Sequence, residues 1–435
     1  MDRDFTDKTL IVDQLGYFWW ATEKRESRLK APDSAVPGRL RITDDGEIDL
    51  QCLGRLPERE VEDQVYKDNI FGVLADGNWV ALHQLKRARE GFCSHGISQE
   101  GFSAEYCLIS QTEAFFSESN LFDEMEINLS SLTSWFTSNV DCKYEKNGDF
   151  HLHYKRPTDI EFCIGGMRMV IKSDCSFNPN EDGSETNTFK EIKRLVVSNI
   201  ETVSFKKYWD ILNELERLFR LLSGNEIILP FPALRSAQHP WWVKLYLRRH
   251  SVDVDKFNQR NTPFLYHEIE AEFPIIAQRY FKTYEQIKAA FIFYFSAKYN
   301  NDTYLESKFL LFVAALEAYA DQILNMSKNK DLQAKIQRSL EKAVSKINRK
   351  TKNKFAEKCT DYRNFLSHGN KNLFQNDYSL DIAWKTDGLA LIVQVLLLKE
   401  IGLDSARVEN WLLTGNGHTS RIHIFREAGL SFNQG

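Results

Sequence analysis

Tyr362-Arg363-Asn364-Phe365-Leu366-Ser367-His368-Gly369 closes a helical pattern late in the chain and sets an arginine, an amide and a histidine close together. An arginine holds a phosphate through a planar fork of donors, and a histidine takes or gives a proton near neutral pH. Together they suit phosphodiester chemistry. Gly369 fits a helix that ends here, with the His368 imidazole at an exposed terminus and Asn370, Lys371 and Asn372 as a polar lip. The same residue types also occur near helix ends as a solvated cation and a C-terminal cap, so the surrounding sequence has to decide.

Around this stretch the pattern stays helical. From about Pro274 apolar residues recur at three- and four-residue spacing. The spacing predicts one long helix over 275–297 and a second over 302–326, striped by Leu305, Phe309, Val313, Leu316, Ala320 and Ile323. A basic helix over 330–347 turns Leu332, Ile336, Leu340, Val344 and Ile347 inward, and 353–365 leads into the motif. Further helices are expected over 380–401 and 405–413, and helices joined by short links make a bundle. Between Lys328 and Lys371 thirteen Lys or Arg stand against four acids, a balance of +9 within a net charge of −5. Such a block suits a polyanion-binding surface and equally a solvated helix face. From it, Lys354, Lys358 and Lys371 are the expected substrate-binding residues.

The spacing Arg363-Asn364 followed by His368 resembles the signature of HEPN ribonucleases. The resemblance implies a small all-helical domain that dimerises and cuts RNA without metal. Ala315-Leu316-Glu317-Ala318-Tyr319-Ala320-Asp321 also resembles HEPN domains, in which an acidic residue of this helix faces the Arg-His motif. Glu317 borders the apolar stripe, where a carboxylate needs a partner, and the expected partner is Arg363 or His368. The alternative is a surface glutamate beside Asp321, at a spacing where two acids repel. The expected catalytic residues are thus Arg363, Asn364, His368 and Glu317.

The first half reads as strands. Gly16-Tyr17-Phe18-Trp19-Trp20 is an aromatic run, and Thr43-Asp44-Asp45-Gly46 separates two apolar segments as a hairpin would. Asp76-Gly77-Asn78 and Asn147-Gly148 repeat the signal, while Gly165-Gly166 suggests a bulge or bend. Strands at this spacing imply a sandwich or partly open barrel. Gly16 to Trp20, Pro37-Gly38-Arg39-Leu40 and Asp45-Gly46 resemble the N-terminal domain of ApeA proteins. These are bacterial anti-phage proteins of the abortive-infection type that join such a domain to a C-terminal HEPN domain. The resemblance implies that the strand-rich part senses a phage-derived trigger or restrains the nuclease.

After a polar loop over 178–187, residues 204–222 read as an amphipathic helix capped by Ser204 and ended at Gly224. Pro230, Pro232 and Pro240 mark a connector, and the run from Trp241 to His250 mixes aromatic and basic residues. That run could stack on bases or pack as an amphipathic element whose cations reach outward. The fold class is α+β: a strand-rich domain over 1–200, a helical and proline-containing connector over 201–270, an all-α HEPN bundle over 271–402, and a C-terminal helix and tail over 403–435.

With 43% hydrophobic and 27% charged residues, the composition is that of an ordinary globular protein. Neither a signal-peptide pattern nor an apolar run of membrane-spanning length occurs, so the expected location is the cytoplasm. Seven scattered cysteines without a Cys-x-x-Cys pair suit reduced thiols. His151 and His153 share a strand face and His83 and His95 one loop region, without the grouping a structural zinc needs. No metal or cofactor is expected. Nucleotide-phosphate loops, nucleophile elbows and His-Glu-x-x-His are absent from the sequence.

The reading is therefore a metal-independent endoribonuclease of anti-phage defence, acting on RNA, with transfer RNA among the candidate targets, as a homodimer or higher homo-oligomer. A HEPN module that dimerises or binds nucleotide or RNA without cutting is the alternative.

Overall fold

The computed structural model describes residues 9–21, 31–57, 69–92, 98–112, 121–136, 139–178, 188–237, 239–249, 257–258, 262–300, 302–326, 331–368 and 378–433. The polar lip over 369–372 and all but Asn178 of the loop over 178–187 lie outside these residues.

The strands begin with β1 (Leu10–Trp20), β2 (Val36–Thr43), β3 (Ile48–Leu53), β4 (Ile70–Leu74) and β5 (Trp79–His83), of which β3 alternates apolar and polar residues from Ile48 to Cys52. They continue through β6 (Lys86–Phe92), β7 (Ser98–Ala104), β8 (Tyr106–Ser110) and β9 (Leu121–Asn128). β10 (Val140–Tyr144) and β11 (Phe150–Tyr154) form a separate hairpin. Next come β12 (Ile160–Ile164), β13 (Met167–Asn178), β14 (Thr188–Ser204), helix α1 (Phe205–Ser223), β15 (Ala233–Ser236) and β16 (His239–Leu247). All but the β10–β11 pair join one antiparallel 14-stranded sheet, in the order β12-β13-β14-β9-β15-β16-β8-β5-β4-β1-β2-β3-β7-β6.

The sheet rolls up at one end. At about 4.8 Å per strand, a flat sheet would hold the β2–β3 turn some 24 Å or more from β16. Instead the Arg249 N–H donates to the Asp45 carbonyl at 2.8 Å, and a Cβ on Gly46 would collide with the Leu247 carbonyl oxygen. Gly46 is needed there twice over, for that approach and for its φ of +76°. The rolled part encloses Phe18, Leu40, Leu50, Ile70, Leu82 and Phe102 in a core of its own, which is the partly open barrel of the expected pair of architectures. The flatter part buries Phe122, Met125, Leu195, Val197, Leu234 and Val243 in a second core continuous with the helices.

Several local expectations change. Gly165 and Gly166, at φ +56° and +83°, form a tight two-residue hairpin turn that closes the Ile164–Met167 pair, rather than a bulge. Ser204 stands at the N-cap position of α1 but its side chain makes no cap hydrogen bond; Gly224 does end that helix in the left-handed region. The stretch read as a connector contributes β15 and β16 to the sheet. Within β16, Val243, Leu245 and Tyr246 are buried and Trp241 is 52% exposed.

The second half is helical as expected: α2 (Tyr266–Ile269), α3 (Phe273–Gln286), α4 (Lys288–Lys298), α5 (Leu305–Gln322) and α6 (Leu332–Ala343). α7 (Arg349–His368), α8 (Tyr378–Glu400), α9 (Ser405–Leu413) and α10 (His418–Glu427) complete it. The single helix expected over 275–297 is broken at Ile287 (φ −124°, ψ 39°). The break lets α3 pack on α1 and β12 while α4 packs on α5. Among the described residues no helix is long and apolar enough to cross a membrane.

α1 joins the two halves. Its first turns lie beside the rolled sheet, and its last are bonded to the bundle: the Tyr280 hydroxyl donates to Glu214 at 3.2 Å, Arg217 to the Tyr284 oxygen at 2.8 Å, and Tyr299 to the Arg220 carbonyl at 3.1 Å.

Candidate active site

The quoted stretch is the C-terminal end of α7, a 20-residue helix whose buried Phe355, Ala356, Cys359 and Tyr362 recur at three- and four-residue spacing. That stripe seats α7 against α5 and α8, with the Tyr362 ring edge-on to Phe309 at 6.1 Å. The Tyr362 hydroxyl donates to one oxygen of Asp381. Lys385 donates to the other at 2.8 Å and to the Ala428 carbonyl at 3.3 Å. Burial opposes ionisation of Asp381, but the bonds from Lys385 and Tyr362 outweigh it, and its pKa is lowered.

Beyond this anchor the side chains open outward. Arg363 is half-buried, and Asn364 and His368 are exposed. Arg363 Nη1 donates to Asn364 Oδ1 at 3.3 Å. α7 continues unbroken to His368, and five residues of helix turn the chain through about 140° and advance it about 7.5 Å. Arg363 therefore sits beside the buried stripe and His368 on the opposite, solvent-facing side. Their Cα–Cβ bonds leave the helix about 140° apart.

Lys354 and Lys358 are exposed, and the Lys358 ammonium lies 5.9 Å from the centre of the Tyr362 ring. The two lysines stand about 21 and 15 Å before His368 along the axis. Lys371 lies outside the described residues.

Glu317 is the clearest departure. Its partner is neither Arg363 nor His368 but Lys335 on α6, at 3.8 Å, and the same ammonium lies 2.7 Å from Asp321. The Lys335 side chain is 3% exposed. A buried cation thus sits between two carboxylates four residues apart, and their mutual repulsion is relieved by the charge they share. The basic block is correspondingly mixed, since Lys335 and Lys352 are both buried.

Tyr362, Asp381, Lys385 and Lys335 were not singled out by their sequence pattern. The signal present is Asp381-x-x-x-Lys385 in the first turns of α8, with the acid N-terminal, the favourable order for a helical pair.

Elsewhere Glu145, Asp149 and His151 bring one donor atom each within 4.8 Å of one another on the β10–β11 hairpin, all exposed. His151 Nε2 lies 3.5 Å from Glu145; His95 lies outside the described residues. The described cysteines, Cys52, Cys107, Cys142, Cys163, Cys175 and Cys359, are all free thiols.

Comparison with known families gives two matches. Residues 15–229 match the model of the ApeA N-terminal domain 1, which covers the rolled sheet, β9 to β14 and α1. Residues 279–407 match the Apea-like HEPN model, which covers the bundle from within α3 into α9 and includes both Glu317 and the α7 motif. No curated protein and no solved structure matches.

Proposed function

Because the chain is an ApeA-like protein with a C-terminal HEPN domain, a HEPN-type defence protein, we propose that it is an endoribonuclease that cuts RNA without a metal ion. The observation that carries this reading is the grouping of Arg363, Asn364 and His368 at the end of a helix whose preceding residue, Tyr362, is fixed through Asp381.

His368 deprotonates a ribose 2′-hydroxyl, whose oxygen attacks the adjacent phosphorus. Arg363 stabilises the charge that gathers on the phosphoryl oxygens, and Asn364 holds the guanidinium or the phosphate by hydrogen bonding. The P–O5′ bond breaks, a second imidazole protonates the leaving oxygen, and the products carry a 2′,3′-cyclic phosphate and a 5′-hydroxyl. DNA lacks the nucleophile.

The motif holds one imidazole, and a dimer supplies the second from the partner's motif. The separation of Arg363 and His368 around α7 favours the same conclusion, since a two-fold dimer brings the arginine of one protomer to the histidine of its partner. Glu317 supports the site from behind, through Lys335 and the packing of α5 on α6, rather than touching RNA. The protein acts in the cytoplasm, with the strand-rich domain responding to a phage-derived trigger.

The test is expression of wild type and His368→Ala with and without phage, followed by mapping of RNA ends. Cleavage leaving 2′,3′-cyclic or 3′-phosphate ends, lost in the variant, supports the nuclease. Intact RNA in both, with protection from phage unchanged, returns the domain to a binding or dimerisation role.

A further inference from the structure

We propose that the mouth of the rolled sheet is a binding site for a nucleoside phosphate, separate from the α7 motif. A cavity of about 400 Å³ opens there between the β2–β3 turn, the ends of β7 and β16, the start of β8 and the first turns of α1. That volume falls within the range of small-molecule sites, which favour the mouths of barrels.

Its walls supply three kinds of chemistry. Tyr106, Phe205 and Trp209 give aromatic surface for a base, with Tyr106 and Phe205 4.6 Å apart. Lys206 and Arg248 give cations for a phosphate. Asp210 gives an acceptor for the amino group of a base. Lys86 and Glu105 neutralise one another at 3.1 Å, whereas no ion pair is made by Lys206, Asp210 or Arg248 among the described residues. With Glu47 on the wall the lining holds three cations and three carboxylates, so an anion is held by Lys206 and Arg248 individually rather than by net charge.

Two further features single out this corner of the sheet. Gln84, on the cavity rim, holds φ +54°, a conformation costly for a residue with a side chain and kept where the surroundings impose it. His83, 2% exposed, stacks beneath Tyr106 at 4.5 Å and 9°, and neither ring nitrogen has a hydrogen-bond partner among the described residues. Buried polar groups without a partner are few in folded proteins.

The site also has an outlet. Phe205, Lys206, Trp209 and Asp210 occupy the first turns of the helix whose far end is bonded to Tyr280, Tyr284 and Tyr299 of the bundle. A ligand that shifts α1 shifts the packing of α3 and α4. Binding stands apart from the nuclease reading; only its effect on cleavage rests on it.

The experiment is calorimetric titration of the full chain, in both wild-type and His368→Ala forms, with AMP, GMP, UMP, adenosine, inorganic phosphate and a 5′-phosphorylated RNA oligonucleotide. A nucleoside monophosphate should bind with a Kd below about 1 mM. Arg248→Ala should weaken it about tenfold with little effect on adenosine, and Trp209→Ala should weaken both. Thermal melts establish that the variants fold. Binding of the oligonucleotide alone, with the same dependence on Arg248 and Trp209, assigns the site to RNA ends. No binding by any nucleotide, equal affinity for inorganic phosphate, or indifference to both substitutions overturns the proposal. Because the His368→Ala chain is titrated too, failure of the nuclease leaves the result intact.

Discussion

Tyr362 donates its hydroxyl to Asp381, one residue before Arg363, and so ties the last turns of α7 to the first turn of α8. Tyr362→Phe keeps the ring against Phe309 and removes only that bond. The expected cost is about 1–2 kcal/mol of stability, with a larger fractional loss of RNA cleavage than of folded protein, because the residues that follow lose their fixed base. Denaturant unfolding beside a cleavage assay measures both. Cleavage unchanged at full loss of the bond would remove the clamp from the mechanism.

The single imidazole of the α7 motif makes a second prediction. If each cut uses the imidazoles of both protomers, wild-type and His368→Ala chains co-expressed in equal amounts give about a quarter of wild-type cleavage, since only the wholly wild-type dimers then hold two imidazoles. Cleavage near half of wild type in mixed dimers of demonstrated composition would mean that each site works with the imidazole of one chain alone.

Much of the fold is legible in the order of residues along the chain. Paired strands announce themselves through their turns, and Asp45-Gly46, Gly77 and Asn147-Gly148 each close the hairpin their residues suggest. Helical stripes did the same for α5 and α6. The break at Ile287 was hidden because the apolar spacing runs through it; only the competing surfaces of α1 and α5 require the turn. β14, a 17-residue strand, was hidden by its charged first half, Lys190 to Arg194, whose partners come from β9 and β13. Glu317 was recognisable as needing a cation. That the cation is Lys335 could not be read from a block of thirteen basic residues, because burial of one among them depends on how α6 lies against α5.

The Lys335 cluster predicts an asymmetry. Its side chain is 3% exposed, while those of Glu317 and Asp321 are 33% and 25% exposed. Asp321→Asn leaves a buried ammonium with its nearer counter-charge gone and should cost about 2–4 kcal/mol. Lys335→Met leaves carboxylates that reach water and should cost about 1 kcal/mol. Urea unfolding of the two variants decides, and the reverse order would show that the charge is not what holds α5 to α6.

Lys354 and Lys358 should act on RNA only through its phosphates. The double substitution to glutamine is expected to lower the dependence of log K on log salt by about 1.4, from roughly 0.7 per phosphate contact on a single strand, while the positions of the cuts stay the same. Filter binding across a salt series measures the slope. An unchanged slope would make them solvated cations of α7.

The fold should weaken with acid in two stages. Burial pushes the His83 pKa down to about 4, so the folded state keeps it neutral while the unfolded chain protonates near 6.5. A depressed pKa stabilises above the unfolded value and loses that contribution as pH falls toward the folded one, here between about 6.5 and 4, worth on the order of 3 kcal/mol. The carboxylates held low by cations, Asp381 by Lys385 and Glu409 by Lys399, follow the same sign from near pH 4 downward. His83→Phe preserves the stack on Tyr106 and removes the titrating group. Its melting temperature should be flat between pH 6.5 and 4.5 where that of wild type falls, with both dropping below pH 4. A wild-type curve that is already flat through the upper window would mean that His83 is reached by solvent.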